Sequence, residues 1–143
     1  MKLYLAGPMS GIPKFNYPAF FEAAELLRDQ GHEVVSPAEM DSEANIAVSM
    51  ASEHGYLSEY KDSWGTILAE DVRVVADEVD GVVMLEGWPD SRGARMEAFV
   101  AATVGKPVYE LEELHEIPVQ DLMDVISFGV RYQGDTSRYT EEK

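Results

Sequence analysis

Cysteine is absent from the 143-residue chain, which excludes disulfides and thiolate metal sites. Basic residues are scarce as well: 11 against 27 acidic ones leave a formal net charge of −16. A surface of that sign repels polyanions, so nucleic acid and anionic membrane are poor partners. No uninterrupted apolar stretch of about 18 residues occurs, and no basic-then-apolar leader. His32, His54 and His115 are too widely spaced to suggest a metal cluster, and there is no internal repeat or low-complexity tract. With 45% of residues hydrophobic, a chain of this length can bury one real core. The expectation is a cytoplasmic single domain over 1–130 with a polar tail over 131–143, needing neither metal nor cofactor.

Strands and helices alternate along the chain. Lys2-Leu3-Tyr4-Leu5-Ala6 reads as a buried strand closed by the glycine- and proline-punctuated loop Gly7 to Pro13. Asn16 is the expected cap of a helix starting near Tyr17-Pro18, with Phe20, Phe21, Ala24 and Leu27 as its stripe and Gly31 as its stop. Glu33 to Ser36 follows as a second strand ended by Pro37. From Glu39 to Asp62 no period is sustained, and this acidic excursion reads as an insertion with one short helix and as a candidate lid. Ser63 caps a helix running to about Val79, Gly81 to Leu85 is a third strand, and the Glu86 to Ser91 loop leads into a helix from about Arg92 to Val104. Pro107-Val108-Tyr109 is a fourth strand, and Val119 to Phe128 a last short helix. The succession predicts a three-layer, doubly wound α/β domain around a small parallel sheet of order 2-1-3-4.

Two acids intrude on apolar helical faces. Glu97 has Gly93, Val100 and Ala101 one turn away, and Asp71 has Ile67, Leu68 and Val75. An unpartnered buried carboxylate costs several kcal/mol or shifts its pKa, so each placement asks for a cause. In order 2-1-3-4 the first and third strands are neighbours and their loops flank the crevice where ligands bind. Glu97, leaning toward its helix N-terminus, can reach that crevice, and Tyr4 can meet it from the first strand. Plainer readings stand beside these: Glu97 paired with Arg73 or Arg131, Tyr4 a core tyrosine, Ser91 a helix cap, and Trp88 a cover for the core rather than a platform for a flat ligand. The first loop matches neither the dinucleotide fingerprint nor the P-loop.

Three segments together resemble the nucleoside 2-deoxyribosyltransferase superfamily, which includes deoxynucleoside 5′-monophosphate N-glycosidases. They are Tyr4-Leu5-Ala6-Gly7-Pro8-Met9-Ser10-Gly11, the Asp71 helix leading into Asp80 to Leu85, and Ser91-Arg92-Gly93-Ala94-Arg95-Met96-Glu97-Ala98 with Gly105 to Val108. The likeness covers residues 1 to about 110 in order, omitting the excursion. It implies that Glu97 is the nucleophile, Asp71 the acid facing the base, and Tyr4 the residue that orients the nucleophile. It further implies that Ser91 holds the 5′-phosphate and that Ser127 is contributed across a homodimer; Gly7, Ser10, Gly11, Trp88, Arg92 and Gly93, placed around the crevice, are the other candidate substrate-binding residues. One position departs from the pattern: the serine that monophosphate hydrolases carry after the loop glycine is Pro8, which has no N–H to donate. Phosphate would then rest on Ser10, Ser91, Arg92 or backbone amides near Gly11 and Gly93, with Arg92 and Arg95 as local cations.

The implied activity is cleavage of the base–sugar bond of a (deoxy)nucleoside 5′-monophosphate through a glycosyl-glutamate intermediate, in a homodimer. Base exchange between nucleosides is the alternative within the same chemistry. A non-catalytic nucleotide sensor, and a purely structural role for both acids, are the alternatives outside it.

Overall fold

Residues 1–40, 43–56 and 63–132 are described by a computed structural model of the chain. Four strands, β1 (Lys2–Ala6), β2 (Glu33–Val35), β3 (Gly81–Met84) and β4 (Val108–Glu110), form one sheet in the order β2-β1-β3-β4, and every pairing is parallel. The expected doubly wound arrangement is therefore the observed one, with β1 and β3 in register from Leu3↔Gly81 to Ala6↔Met84.

The alternation within these strands divides the molecule into layers. Leu3, Leu5, Val83 and Leu85 face α1 (Tyr17–Asp29), whose Phe20, Ala24 and Leu27 complete that half of the core. Tyr4, Ala6, Val82 and Met84 point the other way, against α4 (Trp64–Asp77), α5 (Arg92–Thr103) and α6 (Val119–Tyr132). Successive strand residues project to opposite faces, and right-handed crossovers on either side of β1 set α1 opposite α4 and α5. Both faces are covered, as a parallel sheet requires. Among the described residues no helix is long and apolar enough to cross a membrane.

Several boundaries differ from the sequence reading. Asn16 does not cap α1: its backbone is left-handed (φ 60°), its side chain makes no cap bond, and its Nδ2 donates to Pro8 O at 2.9 Å. Lys14 and Phe15 share the left-handed conformation (φ 59° and 51°), so a short left-handed turn joins the first loop to α1. Phe15, buried beneath it, anchors the turn in the core.

Among the described residues two short helices, α2 (Pro37–Met40) at the entrance to the excursion and α3 (Glu43–Met50) within it, stand where one was expected. The excursion's lack of periodicity has a physical origin, since the fully buried member of α3 is Ser49 and the apolar Ile46 and Met50 are only partly covered. Residues 41–42 and 57–62 of it lie outside the described residues. Ser63 caps α4 as expected, its hydroxyl accepting the Thr66 N–H, although the helix ends at Asp77, two residues early. α6 runs four residues past Phe128, taking in residues 131–132. The expected tail from 133 onward lies outside the described residues.

Candidate functional site

Three side chains from three elements meet on the α4–α5 side of the sheet. Alternation in β1 sends Tyr4 to that face, where it is wholly buried. Ser91 starts α5 by accepting the Ala94 N–H at 3.2 Å, which fixes the phase of the helix. Ala94, Ala98 and Ala101 then pack on the sheet with Glu97 in their stripe, and Glu97 is 5% exposed. The Tyr4 hydroxyl donates to Glu97 Oε2. Asp71, half-buried on α4, stands within hydrogen-bonding and coulombic range of the same hydroxyl.

The electrostatics follow from this packing. Burial raises the Glu97 carboxyl well above the ordinary carboxylate range, the Asp71 charge pushes it further up, and only the hydrogen bond from Tyr4 works the other way. The Tyr4 phenol is pushed up as well, first by burial and then by the Glu97 and Asp71 charges. Of the ion pairs suggested for Glu97, Arg73 is engaged with Glu78 at 2.6 Å instead. Arg131 has no described side chain. Among the described residues no cation lies within salt-bridge distance of Glu97.

Room is left on α5 one turn before Glu97. Gly93 lies one turn before Glu97 on the same side of α5, and a Cβ added there would meet no described atom within 4 Å. The Glu97 carboxyl itself is engaged by Tyr4 and lies beyond 4 Å of that added Cβ. Ser91 flanks Gly93, and its hydroxyl, having accepted one hydrogen bond, still has its own proton to donate. Arg92, half-buried, begins the helix.

Other residues of the sequence reading are engaged elsewhere. Gly7 is a packing glycine: an added Cβ would stand 2.8 Å from Leu85 Cβ. The Gly11 N–H, expected as a phosphate donor, is given to Gly55 O at 2.8 Å. Ser10 is half-buried in the same loop. Trp88, 8% exposed, packs in the core cluster with Ala94, Ala98 and Leu122 and does not offer an open face. Arg95 is buried, donates to Pro89 O at 2.8 Å and lies against Gly129, so it ties α5 to the preceding loop and to α6 rather than serving as a free cation. Ser127 is exposed on α6, and nothing within one chain brings it to the trio.

Two devices escaped sequence reasoning. The returning arm of the excursion clamps the first loop: Lys14 N–H donates to Ser52 O at 2.8 Å, beside the Gly11–Gly55 bond, and Gly55 N–H donates to Ser52 Oγ at 2.9 Å. Ser52-Glu53-His54-Gly55 carries the signal of a serine-initiated turn, and that signal could have located it. Lys106 Nζ donates to Val75 O and Ala76 O at 3.0 and 2.7 Å, binding the last turn of the Asp71 helix to the end of α5. A lysine just past a glycine helix stop gives no local hint of a contact 30 residues back.

A family model described as "Domain of unknown function (DUF4406)" matches residues 1–110. No curated protein and no solved structure matches the chain.

Proposed function

Because the chain belongs to the DUF4406 family, whose description names no activity, the reading rests on the site, and we propose that the protein cleaves the C1′–N bond of a (deoxy)nucleoside 5′-monophosphate through a glycosyl-Glu97 ester. The observation that carries the proposal is the Tyr4 hydroxyl set between two carboxyl groups, one of them in an apolar helical stripe. The resemblance of the three sequence segments to the nucleoside 2-deoxyribosyltransferase superfamily supports the same chemistry.

One phenolic proton between two acids keeps them in opposite states. Burial and the Asp71 charge favour the protonated form of Glu97 at rest; for reaction that proton passes through the Tyr4 hydroxyl to Asp71, which leaves Glu97 the anion, held by the hydrogen bond from Tyr4. Glycosidic cleavage needs that division of labour, an anion beneath C1′ and a proton for the leaving group. Glu97 attacks C1′ as the C1′–N bond breaks, the electron pair leaves with the base, and the Asp71 proton goes to the base nitrogen. Water then attacks C1′, gives a proton to Asp71, and releases the sugar phosphate and the Glu97 carboxylate.

A second reading has its own support. Pro8 lacks an N–H, the Gly11 N–H is taken by Gly55, and Arg95 is taken by Pro89. The remaining phosphate donors are Ser10, Ser91, Arg92 and the α5 N-terminus, and so thin a set suits an unphosphorylated nucleoside with base exchange.

The test incubates the protein with each deoxynucleoside and its 5′-monophosphate, with and without a second free base, and separates the bases by chromatography. Base release from the monophosphate alone is expected, and Glu97→Gln is expected to lower it by about a thousandfold or more. A 2-fluoro-deoxyribosyl substrate should leave its adduct on the Glu97 peptide. Product appearing only with an added base would establish the transferase instead, and no turnover of any nucleoside or monophosphate would overturn both. The homodimer that Ser127 implies is checked by sedimentation of the same sample.

A further inference from the structure

A second concavity lies on the opposite side of the sheet from the Tyr4–Glu97–Asp71 cluster. It is an open groove of about 490 Å³, walled by α1 and by the loops after β1 and β3. Its apolar lining comes from Pro8, Ile12, Ala19, Ala23, Leu26, Leu85 and Leu111. Ala19, Ala23 and Leu26 follow one another along two turns of α1, the two alanines giving room and Leu26 standing 47% exposed at the outer end. Pro8 closes the inner end against Gly87, where an added Cβ would lie 3.3 Å from the proline Cγ. The proline that departs from the family pattern thus belongs to this groove.

The lining also has one sign of charge. Glu22, Glu86 and Asp90 contribute to it, and among the described residues no lysine, arginine or histidine does. These acids are exposed on the rim while the floor is apolar. An enclosed pocket would suit a small ligand, since such sites bury most of the ligand surface. An open trough with an exposed leucine along a helix suits an elongated partner that supplies its own apolar side chains.

We propose that this groove docks a basic, aliphatic segment of a partner polypeptide, with an apolar side chain seated over Ala19, Ala23 and Leu85 and lysine or arginine on the flanks meeting Glu22 and Glu86. The charge complementarity is specific in place: the apolar floor selects the position, and the acidic rim selects the sign and speeds the encounter. The proposal is independent of the catalytic reading, because it uses none of Tyr4, Asp71 or Glu97.

The experiment titrates the full-length, isotope-labelled protein with a synthetic twelve-residue amphipathic peptide of leucine, alanine and lysine, and with a control in which glutamate replaces lysine. Amide shifts are followed by NMR. Saturable shifts confined to α1 and the Pro8 and Gly87 loops are expected with the lysine peptide and not with the control. Leu26→Asp, and separately Glu22→Lys with Glu86→Lys, should each weaken binding by about tenfold or more. All three positions are exposed, so the variants keep the fold, and an unchanged spectrum elsewhere checks that. Absence of saturable shifts, shifts scattered over the acidic surface, or binding that ignores Leu26→Asp would overturn the proposal. So would spermine alone reproducing the pattern, which would assign the groove to a small polycation. A change of sedimentation with Leu26→Asp would assign it to a second copy of the chain.

Discussion

Glu97 is the residue whose environment does most to set how the protein responds to pH. Its carboxyl holds a proton more tightly in the folded chain than at its ordinary value of 4.5. Above that pH the unfolded chain has released the proton while the folded one retains it. This contribution to stability is therefore complete below about 4.5 and is lost as pH rises through the raised folded value. Glu97→Gln keeps the shape and the acceptor for Tyr4 without the charge. Urea unfolding should show the variant gaining on the wild type by about 1.4 kcal/mol per pH unit across that window. Parallel curves would mean that the carboxyl is not desolvated. Gly93 offers a complementary test, because an alanine there would touch nothing in the described protein. Gly93→Ala should hold stability or raise it by about 0.5 kcal/mol, yet lower kcat/KM for the true substrate by about tenfold by narrowing the room one turn before Glu97. Unimpaired turnover would move the substrate elsewhere.

Among the elements, the arm from Ser49 to Tyr56 holds the first loop in place. Gly55 is left-handed (φ 67°), and an added Cβ would stand 2.2 Å from Ile12 O and 2.9 Å from Ile12 N. No backbone of that rigidity yields without displacement. Gly55→Ala is therefore expected to cost about 2 kcal/mol or more. Hydrogen exchange at the Gly11 and Lys14 amides, which the arm protects, should speed up before global unfolding. Retained protection at those two amides would show that the left-handed turn at Lys14 to Asn16 holds itself, through Phe15 and the Asn16–Pro8 bond. Over its described part the excursion is tied to the segment after β1 at both Ser52 and Gly55.

For the molecule as a whole, a formal charge of −16 on 143 residues opposes the compact state through self-repulsion. The Arg28–Glu39 and Arg73–Glu78 pairs lie at the surface, where such pairs contribute little. Screening should therefore help more than it harms. Raising sodium chloride from about 20 to 500 mM is expected to lift Tm by about 3 °C or more. A falling Tm would mean that attractive pairs outweigh the general repulsion.

The parallel sheet, its order, and the helix starts at Ser63 and Ser91 could be read from the chain alone, because periodicity and capping are written in residues three or four positions apart. The same logic exposed Glu97 and Asp71 as intruders on apolar stripes. The meeting of Tyr4 with Glu97, 93 positions apart, was legible as well, because the strand order sets β1 beside β3 and the helix that follows it. What could not be read depends on groups distant in sequence. The turn of Asn16 away from its helix, the use of Gly11 by Gly55, and the burial of Arg95 and Trp88 were likewise decided by packing. Each of these groups has more than one local partner of similar worth, and the choice falls to whichever contact the assembled layers leave within reach.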